Sequence, residues 1–134
     1  MADDQANRES TRTLDILVVD DEELILSLVE EILKGQGHTV RTALSGEQAL
    51  EVLAERPTEL VITDIRMPGM DGFDLGMRIR QSFPGIRIAL ITGYFSEHSQ
   101  GSADEIGIKE IVKKPFKSFE LIEMVDRVAR TMDT

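Results

Sequence analysis

LDILVVDDEELILSLVEEILKGQG, residues 14–37, carries two periodicities that meet at an acidic pair. Leu14 to Val19 is a short, nearly continuous apolar run rich in β-branched residues, the pattern of a strand buried on both faces. It stops sharply at Asp20 and Asp21. From Glu22 onward the pattern is helical. Ile25, Leu28, Val29 and Ile32 recur at i, i+3, i+4, i+7 and supply the inward stripe, with Leu24, Leu26 and Leu33 toward its edges. Gly35 and Gly37 end the helix. A buried strand running straight into an amphipathic helix is one βα unit, and the remaining sequence repeats that unit.

His38 to Ala43 reads as a second strand. Ser45 caps the helix that follows, with Gln48 at capping-box spacing and Ala49, Leu50, Val52 and Leu53 on its apolar side. Glu59 to Thr63 is a third strand ending at Asp64. The loop after it, RMPGMDG (66–72), holds two glycines and a proline, which mark a turn. A helix spans about Phe73 to Ser82, with Asp71 as its cap. Arg87 to Ile91 is the fourth strand, ending at Thr92 and Gly93, and Ser96 to Ile106 is a weak helix. Lys109 to Val112 is a fifth strand, ending at Lys113, Lys114 and Pro115. A last helix covers Ser118 to Thr131, with Leu121, Ile122, Val125, Val128 and Ala129 inward. Strict alternation of this kind implies one doubly wound α/β layer with a parallel sheet. Residues 1–13 are polar without periodicity and read as a disordered lead-in; 14–131 form one domain and 132–134 a tail.

Composition narrows the function. The 134 residues hold 25 acids and 15 bases, a formal charge of -10. Residues 14–64 carry twelve acids against three bases, while 65–134 carry ten of each. This balance argues against direct nucleic-acid binding and against anionic membranes. No apolar run is long enough to span a bilayer, and residues 1–13 lack the apolar stretch of a signal peptide, so a cytoplasmic protein is expected. The absence of cysteine excludes disulfides and thiolate chemistry.

Ligands of doubly wound folds bind beyond the carboxyl ends of the strands, where strand order reverses. Those ends are Asp20–Asp21, Asp64, Thr92 and Lys114. With the order 2-1-3-4-5, strands one and three are neighbours, and three carboxylates converge beside a hydroxyl and an ammonium. Clustered carboxylates repel unless a cation compensates. Oxygen ligands without nearby His or Cys suit Mg²⁺. A carboxylate can itself attack phosphorus to give an aspartyl phosphate, and a lysine suits a phosphoryl oxygen.

VVDDE (18–22), TDIRMPGMDG (63–72), LITG (90–93) and KKPF (113–116) together resemble the receiver domain of two-component response regulators, over about residues 13–131. The resemblance implies a flavodoxin-like (βα)5 fold with strand order 2-1-3-4-5. It implies that Asp64 accepts a phosphoryl group from a phosphohistidine. Asp21 would be a direct Mg²⁺ ligand, Asp20 would act mostly through water, and the Arg66 carbonyl would be a further ligand. Thr92 would be the switch hydroxyl and Lys114 the phosphate contact, with a cis bond to Pro115. The domain would be a signalling phosphoacceptor rather than an enzyme, apart from helping its own phosphorylation and slow autodephosphorylation, and Arg66 and Tyr94 would tune access of water. The partners implied are a histidine kinase or histidine phosphotransfer protein, docking near the first helix where Leu26 is a candidate contact, and a downstream protein. The family often has an aromatic residue where this chain has Ile111, so signal output is expected to run through Thr92, the loop 93–96 and the fourth helix.

Simpler readings stand beside these. Asp20 and Asp21 could merely cap the first helix. Tyr94 could rim the site or simply pack. Lys113, His38 and His98 read as surface residues. The chain could be a stand-alone regulator or a receiver module of a hybrid sensor kinase. An aspartyl phosphatase would need an acid two residues after the nucleophile, where Arg66 stands, and a flavodoxin would need a phosphate-cradling loop in place of Asp20 to Glu23.

Overall fold

The computed structural model describes residues 12–132. Five strands alternate with five helices. The strands are β1 (Asp15–Val19), β2 (Thr39–Ala43), β3 (Leu60–Thr63), β4 (Arg87–Thr92) and β5 (Glu110–Lys113). The helices are α1 (Glu23–Gly35), α2 (Gly46–Glu55), α3 (Gly72–Ser82), α4 (Glu97–Ile106) and α5 (Ser118–Met132). The sheet is parallel throughout in the order β2-β1-β3-β4-β5. Boundaries differ from the sequence reading by a residue or so, the ordinary fraying of element ends. The lead-in of 1–13 falls for residues 1–11 outside the described residues, as do 133 and 134 of the tail. Arg12 is described, and it forms an ion pair with Glu59.

Alternation along each strand divides the core. Ile16, Val18, Leu60, Ile62, Ala89 and Ile91 face α1 and α5, against Val29, Leu33, Leu121, Met124 and Val125. Leu17, Val19 and Val61 face α2 and α3, against Ala49, Leu53, Leu75 and Ile79. Leu90 joins Ala103, Ile106 and Ile108 beneath α4. Each fully buried Leu or Ile stabilises the fold by roughly 1.5–3 kcal/mol, and the near-total burial of these positions explains how a chain poor in aromatics builds a core.

The sequence reading of α1 is corrected in phase. Leu26, Val29 and Leu33 are its buried stripe, Ile25 and Ile32 are half-buried, and Leu28 points outward with Leu24. Apolar residues cover a broad arc of α1, wider than one buried stripe, so periodicity alone left more than one stripe that could turn inward. In α5, Met124 is fully buried while Ile122 is only partly so.

Register sets up the functional end. Val19 pairs with Ala43 on one side and Thr63 on the other. Thr63 pairs with Leu90, and Thr92 pairs with Lys113. The strands therefore finish together, and the residues just beyond them emerge at one edge.

Candidate functional site

Strand ends position each group. Asp20 follows β1, and its amide still donates to the Ala43 carbonyl at 3.2 Å. Asp64 follows β3, with its amide donating to Val19 at 3.1 Å. Lys114 follows β5, held by its amide to the Thr92 carbonyl at 2.8 Å. Each backbone is thus fixed by sheet-like bonds before its side chain enters the crevice. Gly72 supplies a second constraint, because its amide donates to the Ile65 carbonyl at 2.7 Å. A Cβ there would collide with the backbone of Asp64 and Ile65, so the start of α3 can lie against Asp64 only with glycine at this position.

The carboxylates of Asp20, Asp21 and Asp64 can each direct an oxygen into a space where the three lie within 4.8 Å of one another. Asp20 and Asp64 are buried and Asp21 is exposed. Lys114 Nζ donates to Asp20 Oδ2 and to Asp64 Oδ2, both at 2.9 Å, and to Glu22 Oε1 at 3.1 Å. The remaining oxygens are occupied by local amides. Asp20 Oδ1 accepts from Glu22 N–H at 2.9 Å, and Asp64 Oδ1 accepts from Ile65 N–H at 2.6 Å. Burial raises the Asp20 carboxyl above its ordinary value, and the Asp64 charge adds to this. The Glu22 amide and Lys114 work against that rise without cancelling it. Burial pulls the other way on the Lys114 ammonium, but Asp20 and Asp64 outweigh it and raise its pKa, so it stays protonated.

Thr92 is buried, yet its hydroxyl is engaged locally. Oγ1 donates to the Tyr94 carbonyl at 3.1 Å and accepts from the Tyr94 amide at 3.2 Å. Arg66 lies over the Tyr94 ring with its guanidinium carbon 3.8 Å from the centroid, a cation–π contact at the rim of the site. Tyr94 is about half exposed, so it rims the crevice rather than packing in the core. Arg66, Tyr94, Phe73 and His98 line a cleft of about 740 Å³ beside it. Ile111 is partly buried against the apolar cluster under α4. The Lys114–Pro115 bond is cis.

The N-cap of α1 is Glu22, whose side chain makes no capping bond, so Asp20 and Asp21 do not cap it. Asp71 does cap α3, in a reciprocal box with Asp74. His38 corrects the sequence reading: it is buried, and its Nδ1 accepts the Leu14 amide at 2.9 Å. A histidine between a glycine-ended helix and a strand carried no burial signal, because its partner lies 24 residues away, just before β1. His98 is exposed as read, but it shares the cleft with Arg66. Glu22 was missed as a site residue. In the sequence it stands with the acids that open α1, and only the reach of Lys114 across the sheet joins it to the site.

The donor set fits a hard divalent cation: carboxylate oxygens, and neither sulfur nor imidazole among the three clustered groups. Among the described residues, no helix is long and apolar enough to cross a membrane.

A family model described as the response regulator receiver domain matches residues 16–126. The chain is 35% identical over 112 residues to the DNA-binding transcriptional regulator NtrC of Escherichia coli, covering 84% of this chain and 24% of that protein. It is 34% identical over 116 residues to an NtrX-like response regulator of Rickettsia bellii, covering 85% and 24%. The chain thus spans about a quarter of the length of these curated relatives. The solved receiver domain of NtrX from Brucella abortus superposes with a TM-score of 0.81 at 37% identity, over 87% of this chain and 99% of that one. The chemotaxis protein CheY4 of Vibrio cholerae superposes at 0.83 with 27% identity, over the same shares.

Proposed function

The chain belongs to the response regulator receiver domain family of two-component signalling, and from that membership we propose that Asp64 accepts a phosphoryl group from a phosphohistidine and that the modified domain signals to a partner. The observation that carries the reading is the Asp64 carboxylate, buried beside Asp20 and Asp21 and hydrogen-bonded to Lys114 at 2.9 Å.

Asp20, Asp21, Asp64 and the Arg66 carbonyl would hold Mg²⁺, which, when bound, neutralises charge on the phosphoryl oxygens. A carboxylate oxygen of Asp64 forms the new O–P bond as the P–N bond of the donor breaks, and that electron pair returns to the imidazole. Lys114 changes partner, from the carboxylates to a phosphoryl oxygen, and keeps a charge-assisted bond throughout. The Thr92 hydroxyl leaves Tyr94 and donates to the phosphoryl group. Little covalent work falls to the protein, so positioning and charge dominate. The stacked Arg66 and Tyr94 stand at the rim and limit the water that would hydrolyse the acyl phosphate, which makes autodephosphorylation slow. Small acyl phosphates can serve as donors in place of phosphohistidine.

The donor docks on α1, where Leu24 is 86% and Leu28 46% exposed next to the crevice. Leu26, the contact expected from the sequence, is buried and cannot serve. Ile111 replaces the aromatic partner of the switch hydroxyl, so output runs through Thr92, loop 93–96 and α4. Phosphohistidine donors act in the cytoplasm, and the domain works there with them.

The test is incubation with acetyl phosphate and Mg²⁺, followed by intact mass measurement. The parent protein gains one phosphoryl group, labile to hydroxylamine, and Asp64→Asn gains none. A phosphoryl group retained by Asp64→Asn would overturn the assignment.

A further inference from the structure

The end of the sheet opposite Asp64 holds a cleft of about 520 Å³, between the end of α3, the first residues of β4 and β5, and the last turn of α5. Its charged lining is Arg80, Arg87, Lys109 and Glu110. Glu110 is already matched by Arg127, which approaches its carboxylate at 3.0 Å. Two further acids toward this end are matched as well: Asp15 pairs with Arg56 and Glu59 with Arg12. The three cations of the cleft have no ion pair among the described residues. Arg80 donates to the Ile106 carbonyl, and Arg87 donates to the Thr131 hydroxyl at 2.8 Å. Both of these anchors are neutral. Lys109 has no ion-pair partner among the described residues.

Among the described residues that line the cleft, three cations without an ion pair are unexpected on a chain of net charge -10. A solvated cation on a convex surface needs no explanation. Here the three converge on one concavity. Each guanidinium has five donors and spends one on its neutral anchor, so the anchors fix the forks while most donors stay free. Ile86, Ile88 and Val128 add apolar wall to the same cleft. Its volume falls in the range of small-ligand sites. We propose that this cleft binds a small phosphate ester carrying two or more phosphoryl groups, held by Arg80, Arg87 and Lys109, with its organic part against the apolar wall. Phosphate fits better than a single carboxylate because two forks and an ammonium can each take a separate oxygen pair. The site is independent of Asp64 and of its phosphorylation.

The test is an amide chemical-shift titration of the isotope-labelled full chain in EDTA, where the carboxylate site repels anions. Inorganic pyrophosphate and adenosine diphosphate are the two probes. Saturable shifts centred on residues 84–88 and 106–110 are expected with both, and adenosine diphosphate should bind more tightly because it alone reaches the apolar wall. Arg87→Ala with Lys109→Ala, both at exposed positions, should weaken binding at least about tenfold. Shifts centred on Gly93 and Lys114, shifts that fail to saturate by about 10 mM, or unchanged affinity in the double variant would each overturn the proposal. Equal affinity for the two probes would overturn the assignment of the apolar wall to the organic part.

Discussion

Lys114 is the residue on which the resting site balances. It faces Asp20, Glu22 and Asp64 at 2.9 to 3.1 Å, one ammonium against three carboxylates. Removing the one cation of a largely buried cluster leaves uncompensated charge, which costs several kcal/mol, and the part of Lys114 that reaches solvent reduces this. Lys114→Met should therefore lower stability in EDTA by roughly 2–3 kcal/mol, measured by urea denaturation. The same change should tighten Mg²⁺ binding by about tenfold, because the ion no longer competes with an internal cation. Weaker Mg²⁺ binding would contradict the competition. At this scale the sequence was informative where residues stand at strand ends. Asp20, Asp21, Asp64, Thr92 and Lys114 all emerge at the same edge because the sheet register brings them there. It was silent on Glu22, whose role depends on a lysine 92 positions away.

The helices divide into one that presents a surface and one that is loosely held. On α1 the inward stripe uses Leu26, Val29 and Leu33, which leaves Leu24 and Leu28 facing solvent. Replacing both with Asp should slow phosphotransfer from a histidine phosphotransfer protein by at least about tenfold, as for central interface contacts. Phosphorylation by acetyl phosphate should be unchanged, and comparing the two donors separates docking from chemistry. On α4, only Ala103, Ile106 and Ser99 are buried. Gly101 sits in its middle, and a Cβ there would meet nothing within 4 Å. Gly101→Ala should stabilise the helix by about 0.5–1 kcal/mol, seen as slower amide hydrogen exchange across 97–104. Faster exchange would mean that the helix is held by contacts the substitution disturbs. The weakness of α4 was legible in its composition. The phase of α1 was not, since seven apolar residues between Leu24 and Leu33 satisfy more than one stripe.

Over the whole molecule, the alternation of strand and helix was enough to give the layer architecture, because each buried strand needs a crossover helix to reach its parallel neighbour. It could not reveal His38, a buried imidazole that accepts the Leu14 amide and so joins the start of β1 to the end of α1. Burial lowers its pKa from the ordinary 6.5, and the charge of Asp126 opposes this only in part. Above that ordinary value, folded and unfolded chains both keep the imidazole neutral. Below it, the unfolded chain takes up a proton that the folded one resists, so stability falls as pH falls, by no more than about 1.4 kcal/mol per pH unit. His38→Gln should flatten this part of the stability profile between pH 7 and about 5.5, measured as the difference in denaturation midpoint from the parent. An undiminished slope would assign it to other groups. A last consequence belongs to Thr92, whose hydroxyl is fastened, among the described residues, by the amide and carbonyl of Tyr94. Two such bonds contribute together about 2 kcal/mol net. By mass action, a gap of that size leaves on the order of a few per cent of unmodified molecules with the hydroxyl already released. Under the proposed function, the phosphoryl group would enlarge a population that exists beforehand, and a small standing signal would have its floor set by one hydroxyl.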